Sequence, residues 1–463
     1  MQRNEERDRF ADEFNLARTV FSDSIITVEL SRDAARRSGH VRTFLLAINL
    51  LSRTFDNVHA AFPDGIDADR HPWQLGTVDA VVDELVDATD GALSVGHPER
   101  SDVVLSIGES ASARAERRVM ACGSHWQAAL DCDVPGAGEG VFGVLYAATL
   151  GAAQVLLHTL DLSGAPYEPM APLRFSLLDL LTDGARGKVV PQLSIPEAHL
   201  VGIGAVGSAA IYTLAHLEEM GGTLYLIDNE IVDKSNRQRY VLTRRSDTGE
   251  AKVEVAGGAL LGSALEVKPF RGAFESFMED HRAARVDLLL TPVDSEQGRR
   301  ALARTLPRRI INAATGGTTV TLSTHGFADG KACLHCLYLV EPNQRTPEQI
   351  IADDTGLSVD FVRRLVETNE PVGAAVVAQI ERHRGEAPGA WSGHIGSSIH
   401  SFYAKAVCGD AKIQLPTGNV IAPLPFISAA AGILLAAELA KMSHMDLTIH
   451  RLDNYFRADT LRV

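Results

Sequence analysis

Residues 200–207, LVGIGAVG, place glycines at 202, 204 and 207 between an apolar run and a small-residue run. That spacing suits a tight strand-to-helix turn. With no side chains in the way, an anion can approach the amide donors of the helix start, where the helix dipole favours negative charge. Asp228 closes the next apolar run, GGTLYLID, at the position where a carboxylate takes the hydroxyl pair of a ribose. These four residues serve an NAD-dependent oxidoreductase and an ATP site equally well. The next two dozen residues separate the two chemistries. Ser235, Asn236 and Arg239 form S-N-x-x-R directly after the strand, and Gly249-x-x-Lys252 comes next. Arg237 adds a further guanidinium to the run. Cations and an amide crowded beside one nucleotide suit a triphosphate, because Arg is a fixed fork for phosphate oxygens and Lys a point charge. Asp294, at the end of VDLLLTPVD, is a carboxylate at a strand's carboxyl edge, where it can hold the Mg²⁺ that bridges phosphate oxygens. Its other reading is an N-cap for the run SEQGRRAL.

These residues need a parallel sheet with crossover helices to bring them together. HLVGIG, GGTLYLID, EVKPFRGAF and ARVDLLLTPVD read as strands alternating with helices, which predicts such a sheet. RRIINAATGG and TTVTLSTHG come next as further strands. The pattern then changes to a helical insertion at about 344–400, with TPEQIIADDTGLSVDFVRRLVE and VGAAVVAQIERHRG as its two helical parts. It returns at VIAPLPFISAAAGILLAAELAKM, a small-residue helix able to pack closely on the sheet. Upstream of a Gly/Pro-rich seam at 183–199, RSDVVLSIGES and GVFGVLYAATLGAAQVLLHTL repeat the strand and small-residue-helix character without the glycine fingerprint. This predicts a reduced second copy of the fold that has lost its nucleotide.

In these residues the chain resembles the ubiquitin-activating-enzyme superfamily, in its bacterial ThiF/MoeB-type (HesA/MoeB/ThiF) branch, over about residues 195–463. The match runs through Gly202, Gly204, Gly207, Asp228, Ser235, Asn236, Arg239, Lys252 and Asp294. Glu230 stands where the family has a second Asp, and Tyr240 where it has Gln. The resemblance implies an α/β fold: a Rossmann-like adenylation domain with a mostly parallel sheet at 195–463, preceded at 1–190 by an inactive adenylation-like domain. It implies ATP and Mg²⁺ as cofactors and adenylation of the C-terminal carboxylate of a ubiquitin-like protein. A thioester on a cysteine and transfer to a ubiquitin-conjugating-like enzyme would come after it, as in bacterial conjugation systems tied to antiphage defence. Arg239 and Lys252 would be the chief donors to the phosphates. Family members work as symmetric or pseudo-symmetric pairs, which keeps a homodimer open. An adenylyltransferase acting on a sulfur carrier or a peptide without a thioester step, and an NAD-binding oxidoreductase, remain the alternatives.

Cys333 and Cys336 stand where the family carries the first half of a four-cysteine zinc site, but no second pair occurs near the carboxyl terminus. Zinc and plain apolar packing are both open for them. Cys408, beside Gly409 and three residues after Lys405, is the candidate thioester nucleophile, since a nearby cation favours the thiolate; a structural role for it, with the thioester on Cys333 or Cys336, stays open. Cys122 and Cys132 are expected to be packing residues. Arg3, Arg7 and Arg9 are candidates for the arginine that the family delivers from its partner half.

The chain carries 44 Lys and Arg against 59 Asp and Glu, a net charge of −15, which argues against a dominant nucleic-acid surface. Its longest apolar stretches are broken by Gly, Pro or Ser, so they are read as core helices rather than membrane spans. The charged amino terminus, MQRNEERDRFADEF, lacks a signal-like apolar core, and five scattered cysteines make no disulfide framework. A cytoplasmic address is expected.

Overall fold

The structure, a computed structural model, describes residues 7, 11, 16–109, 115–187, 193–217, 219–281, 286–327, 329–338, 346–368, 370–407, 424–443, 447 and 451–461. The chain divides into two compact units. One comprises residues 1–338 and 421–463, the other 339–420.

The first unit holds two sheets. Strands β1 (Ile25–Glu29), β2 (Asn57–Ala61), β3 (Leu93–Val95), β4 (Ser101–Ile107), β5 (Ala115–Gly123), β6 (Gln127–Leu130) and β7 (Leu173–Ser176) lie in the order β3-β2-β1-β4-β5-β6-β7. The downstream strands are β8 (Leu193–Ser194), β9 (Ala198–Val201), β10 (Met220–Asp228), β11 (Leu265–Arg271), β12 (Leu288–Thr291), β13 (Arg309–Gly316), β14 (Thr319–Gly326) and β15 (Tyr455–Asp459). They lie in the order β11-β10-β9-β12-β13-β14-β15, with β8 pairing off this path on β10. Position by position the two orders are the same. In each sheet the first five strands in spatial order are parallel and the last two join antiparallel. The sequence explains the central strands: β9 (AHLV) and β12 (LLLT) are buried along their whole length, as expected for parallel strands covered on both faces. The seam at 183–199 follows β7 and runs into β8 and the start of β9, and both sheets belong to the one unit.

Two apolar helices, Phe142–Leu162 and Pro425–Lys441, are buried on nearly every side. Small residues make the contacts close. A Cβ on Gly432 would collide with the Val206 carbonyl, so the Pro425–Lys441 helix lies backbone to backbone on the Ala205–Ala215 helix. Among the described residues Phe142–Leu162 is long and apolar enough to cross a membrane, yet it is buried inside the protein.

The second unit has its own apolar core, including Ile351, Val362, Leu365, Ile380 and Phe402. The first stretch expected to be helical is two helices, Pro347–Thr355 and Val359–Thr368. Gly356 ends the first in the left-handed conformation (φ 67°), which glycine adopts at little cost. Thr346 and Gln349 form a capping box at its start. The third helix, Ala374–Arg384, ends the same way on Gly385 (φ 74°).

Candidate functional site

β9 lies between β10 and β12, so the chain leaves it at the switch point of the strand order, where open α/β sheets form a crevice at the strands' carboxyl ends. The glycine turn sits there. Gly202 has φ +95°, in the left-handed region, and a Cβ on it would lie 3.0 Å from Val293 Cγ1. Gly204 is the N-cap of the Ala205–Ala215 helix. A Cβ on Gly207 would collide with the Gly202 carbonyl, so the turn closes only without one.

Asp228 is the last residue of β10. Its carboxylate accepts from the Ile203 N–H at 2.6 Å and the Glu230 N–H at 2.8 Å, tying the glycine turn to the neighbouring strand end. An ionised carboxylate has about four acceptor sites, so lone pairs remain for ribose hydroxyls. Beyond it, Val232 N donates to Glu250 O at 2.8 Å, and Lys252 N to Glu230 O at 3.1 Å. This pairing places Lys252 against Glu230. The Lys252 side chain is buried, its Nζ forms an ion pair with Glu230, and it lies 3.4 Å from the Tyr240 hydroxyl. Burial disfavours the ammonium, but Tyr240, Glu230 and Asp228 outweigh it and hold the Lys252 pKa above its ordinary value. Tyr240 is itself buried, and its hydroxyl would lie 3.6 Å from a Cβ on Gly204. Lysine and phenol are therefore stacked beside the phosphate turn.

The S-N-x-x-R segment is a 3₁₀ turn, Lys234–Gln238, held by a capping box: Asp233 accepts from Ser235 N, and the Asn236 side-chain oxygen accepts from Asp233 N at 2.9 Å. Asn236 thus spends its oxygen locally and keeps its NH₂ as donor. Arg239 comes after the turn, half-buried, with its guanidinium 5.8 Å from the Tyr240 ring centre. Arg237 goes elsewhere. Its Nη2 donates to both oxygens of Asp90 at 2.6 Å, so this guanidinium is an anchor to the upstream sheet's half and not part of the nucleotide cluster.

Asp294 is exposed, three residues beyond the end of β12 and next to Val293, which faces Gly202. It is not the helix cap: Ser295 caps the Glu296–Ala303 helix, accepting from Gly298 N at 3.0 Å. Arg299 of that helix is buried and donates to the Val293 carbonyl, which fixes the loop carrying Asp294. A free carboxylate at the rim of the crevice is a hard oxygen donor of the kind Mg²⁺ takes, and Asp294 fits it.

A model of the ThiF family matches residues 190–462. The chain belongs to the ThiF family. It is 34% identical over 336 residues to an uncharacterised protein, y4jF, of Sinorhizobium fredii, covering 69% of this chain and 63% of that one. It is 28% identical over 186 residues to the adenylyltransferase and sulfurtransferase UBA4 of Eremothecium gossypii, covering 38% of this chain and 39% of that one. Human ubiquitin-like modifier-activating enzyme 7 matches at 31% over 132 residues, 26% of this chain and 13% of that one. The chain thus spans less than two thirds of the length of each of these relatives.

Not every expected residue of this ThiF-family chain joins the site. Cys333 and Cys336 lie with their sulfurs 3.5 Å apart, but among the described residues no three His, Cys, Asp or Glu side chains come together as a metal group. A structural zinc needs four ligands, so the described donors do not fit it. Burial raises the Cys333 pKa, and hydrogen bonding, chiefly from Cys336, more than reverses this and leaves it below its ordinary value. Cys408 lies outside the described residues, as do Arg3 and Arg9. Arg7 is buried, paired with Asp56 at 2.8 Å and stacked over Phe21, so it is committed within the upstream half. Cys122 is buried in a small apolar cluster with Cys132 packed against it. Sequence reasoning passed over Arg299 and Arg53. The latter had a signal: a cation at the end of the otherwise apolar run FLLAINLLSR asks what buried acceptor it serves.

Proposed function

We propose that this ThiF-family protein uses ATP and Mg²⁺ to adenylate the C-terminal carboxylate of a ubiquitin-like protein, then accepts the acyl group on Cys408 and passes it to a ubiquitin-conjugating-like enzyme. A bacterial, defence-type conjugation pathway in the cytoplasm is the setting this reading favours. The observation that carries the nucleotide part is the switch-point crevice. There Gly202, Gly204, Gly207 and Asp228 lie beside a buried Lys252 and the Asn236–Arg239 turn, which add phosphate donors beyond the ribose acid that a nicotinamide nucleotide needs. Relatives named for adenylyl transfer and for activation of ubiquitin-like modifiers support it.

In this reading Asp228 orients the ribose, and the helix start at Gly204 receives a phosphate group. Lys252, Asn236 and Arg239 stabilise charge on the phosphates as the substrate carboxylate forms its bond to the α-phosphorus and the bond to the β-phosphate oxygen breaks. Asp294 would hold Mg²⁺, which neutralises the departing pyrophosphate. No general base is needed, because the attacking carboxylate is already ionised at neutral pH. The Cys408 thiolate would then bond to the acyl carbon while AMP leaves.

ATP–pyrophosphate exchange with candidate ubiquitin-like proteins, followed by a non-reducing gel, tests both steps. Exchange lost in Arg239→Ala and kept in Cys408→Ala, with the gel shift lost in the latter, is the expected result. A Cys408→Ala protein that completes the whole reaction would favour the second reading, adenylation of a sulfur carrier or peptide without a thioester, which the UBA4 relative also supports. Tight NAD binding with no exchange against any candidate would favour an oxidoreductase.

A further inference from the structure

The segment 236–243, which carries Asn236, Arg239 and Tyr240, is capped locally by Asp233 and is also held from outside. Four of its carbonyls point into the upstream half, and each meets a side-chain donor from there. Arg53, at the end of the Ser38–Ser52 helix, donates from Nη1 to the Arg237 carbonyl and from Nη2 to the Thr243 carbonyl at 2.8 Å. Asn49 Nδ2 donates to the Val241 carbonyl at 3.0 Å, and Trp73 Nε1 to the Leu242 carbonyl at 2.7 Å. Arg53 Nε in turn donates to Asn49 Oδ1 at 2.6 Å, so the two donors brace each other. Asp90 adds the bidentate hold on Arg237.

We propose that Arg53, with Asn49 and Trp73, forms the positioning set through which the upstream half holds residues 236–240 ready for the phosphates of a nucleotide. The inference rests on the ATP reading of the site. Its physical basis is how buried carbonyls behave. Left without donors they draw the chain toward water, whereas a guanidinium bridging two of them, six residues apart, fixes the arc between. Within that arc lie Arg239 and Tyr240, and Asn236 precedes it directly. Arg53 does not act on the nucleotide itself. Its side chain is fully buried, and its guanidinium is turned to the carbonyls and to Asn49. It acts through the residues it holds. The adenosine contacts differ: Asp228 and the glycine turn are built on β9 and β10 and need nothing from Arg53.

The prediction is a split between ATP and adenosine. In calorimetric titrations of the full chain with Mg²⁺ present, Arg53→Met should bind ATP about tenfold more weakly, the usual loss for hydrogen bonds to charged groups, while adenosine binding stays within about twofold. Arg53→Met combined with Arg239→Ala should bind ATP less weakly than the product of the two single losses predicts, because part of the Arg53 effect passes through Arg239. Unchanged ATP affinity, or a parallel loss for ATP and adenosine, overturns the proposal. Should Arg53→Met not melt cooperatively, Trp73→Phe keeps an aromatic ring, though a smaller one, and removes the N–H; about threefold weaker ATP with unchanged adenosine supports the proposal, and any other pattern overturns it. A wild-type chain that binds no ATP sinks the ATP reading and this inference with it. A wild type that binds ATP, with variants that are indifferent, sinks only the inference.

Discussion

The two sheets have one strand order, yet the helix after the first strand starts in opposite surroundings. Downstream, the helix beginning at Ala205 opens on Gly202, Gly204 and the Asp294 loop, with Lys252 and Tyr240 to one side. Upstream, the Ser38–Ser52 helix meets protein. Gly39 N donates to the Gly138 carbonyl at 3.1 Å, and Arg37 donates to the Ala137 carbonyl. The buried His40 ring fills the space beside Gly108, where a Cβ would collide with the imidazole. Burial, and to a lesser extent Arg37, lowers the His40 pKa against the hydrogen bond to Ala34, so the ring sits there as a neutral group. A helix start binds an anion when its amides are left to the ligand. Here the loop around Gly138 takes that place with a carbonyl, and the upstream crevice becomes a joint.

The sharpest way to break this contrast is to disable one residue in each crevice. Lys252→Ala should reduce ATP–pyrophosphate exchange about 100- to 1,000-fold, the scale seen for loss of a preorganised charge donor. His40→Ala, in the upstream crevice, should leave exchange within about twofold, since the two sites do not share partners. Calorimetry should count one ATP per chain in both the wild type and His40→Ala. A second equivalent in either protein would show that the upstream crevice is a nucleotide site after all.

Much of the downstream crevice was legible because its chemistry is local in sequence. The glycines, Asp228 and S-N-x-x-R each lie within about a dozen residues of a strand end, so periodicity and spacing place them. The upstream plug was not legible, because its parts come from distant stretches: His40, Gly108 and Gly138 meet only when the sheet folds. For the same reason Arg237 looked like a member of the phosphate cluster, although its partner, Asp90, lies far upstream in the chain. The alternative role considered for Asp294 was one residue out, because Ser295 is as good an N-cap as Asp.

The halves also meet at a pair of buried histidines, and acid should test that seam. His71, from upstream, has its pKa pushed down to about 3 by burial. His216, at the end of the downstream Ala205–Ala215 helix, is held well below its ordinary value by burial, then by Arg42 and His71. Between them stands Tyr212, whose hydroxyl is 3.4 Å from His71 Nε2. Unfolded histidine takes a proton near pH 6.5, whereas these stay neutral when folded, so the unfolded state binds more protons as pH falls. Stability should therefore drop from about pH 6.5 toward pH 3, by about 2 kcal/mol at pH 5 from His71 alone, with His216 acting in the same direction. Denaturant melts at pH 7.5 and pH 5 would show it. His216→Leu should flatten the acid limb, and an unchanged slope would mean that the seam does not sense acid.

The smallest effect separates a structural cap from one tied to the site. Thr77 caps the upstream Val78–Ala88 helix, accepting from Ala80 N at 3.3 Å, and Ser295 caps the downstream Glu296–Ala303 helix. Replacing either with Ala should cost about 1 kcal/mol, seen as a modest fall in the unfolding midpoint. Only the Ser295 cap adjoins a proposed metal ligand. The same short helix carries Arg299, whose hold on the Val293 carbonyl sets the loop before Asp294. Fraying the helix start should therefore raise the Mg²⁺ concentration needed for half-maximal exchange in Ser295→Ala, while Thr77→Ala keeps the wild-type value. An equal Mg²⁺ requirement in both variants would detach Asp294 from the metal and leave the β12 loop as scaffold alone.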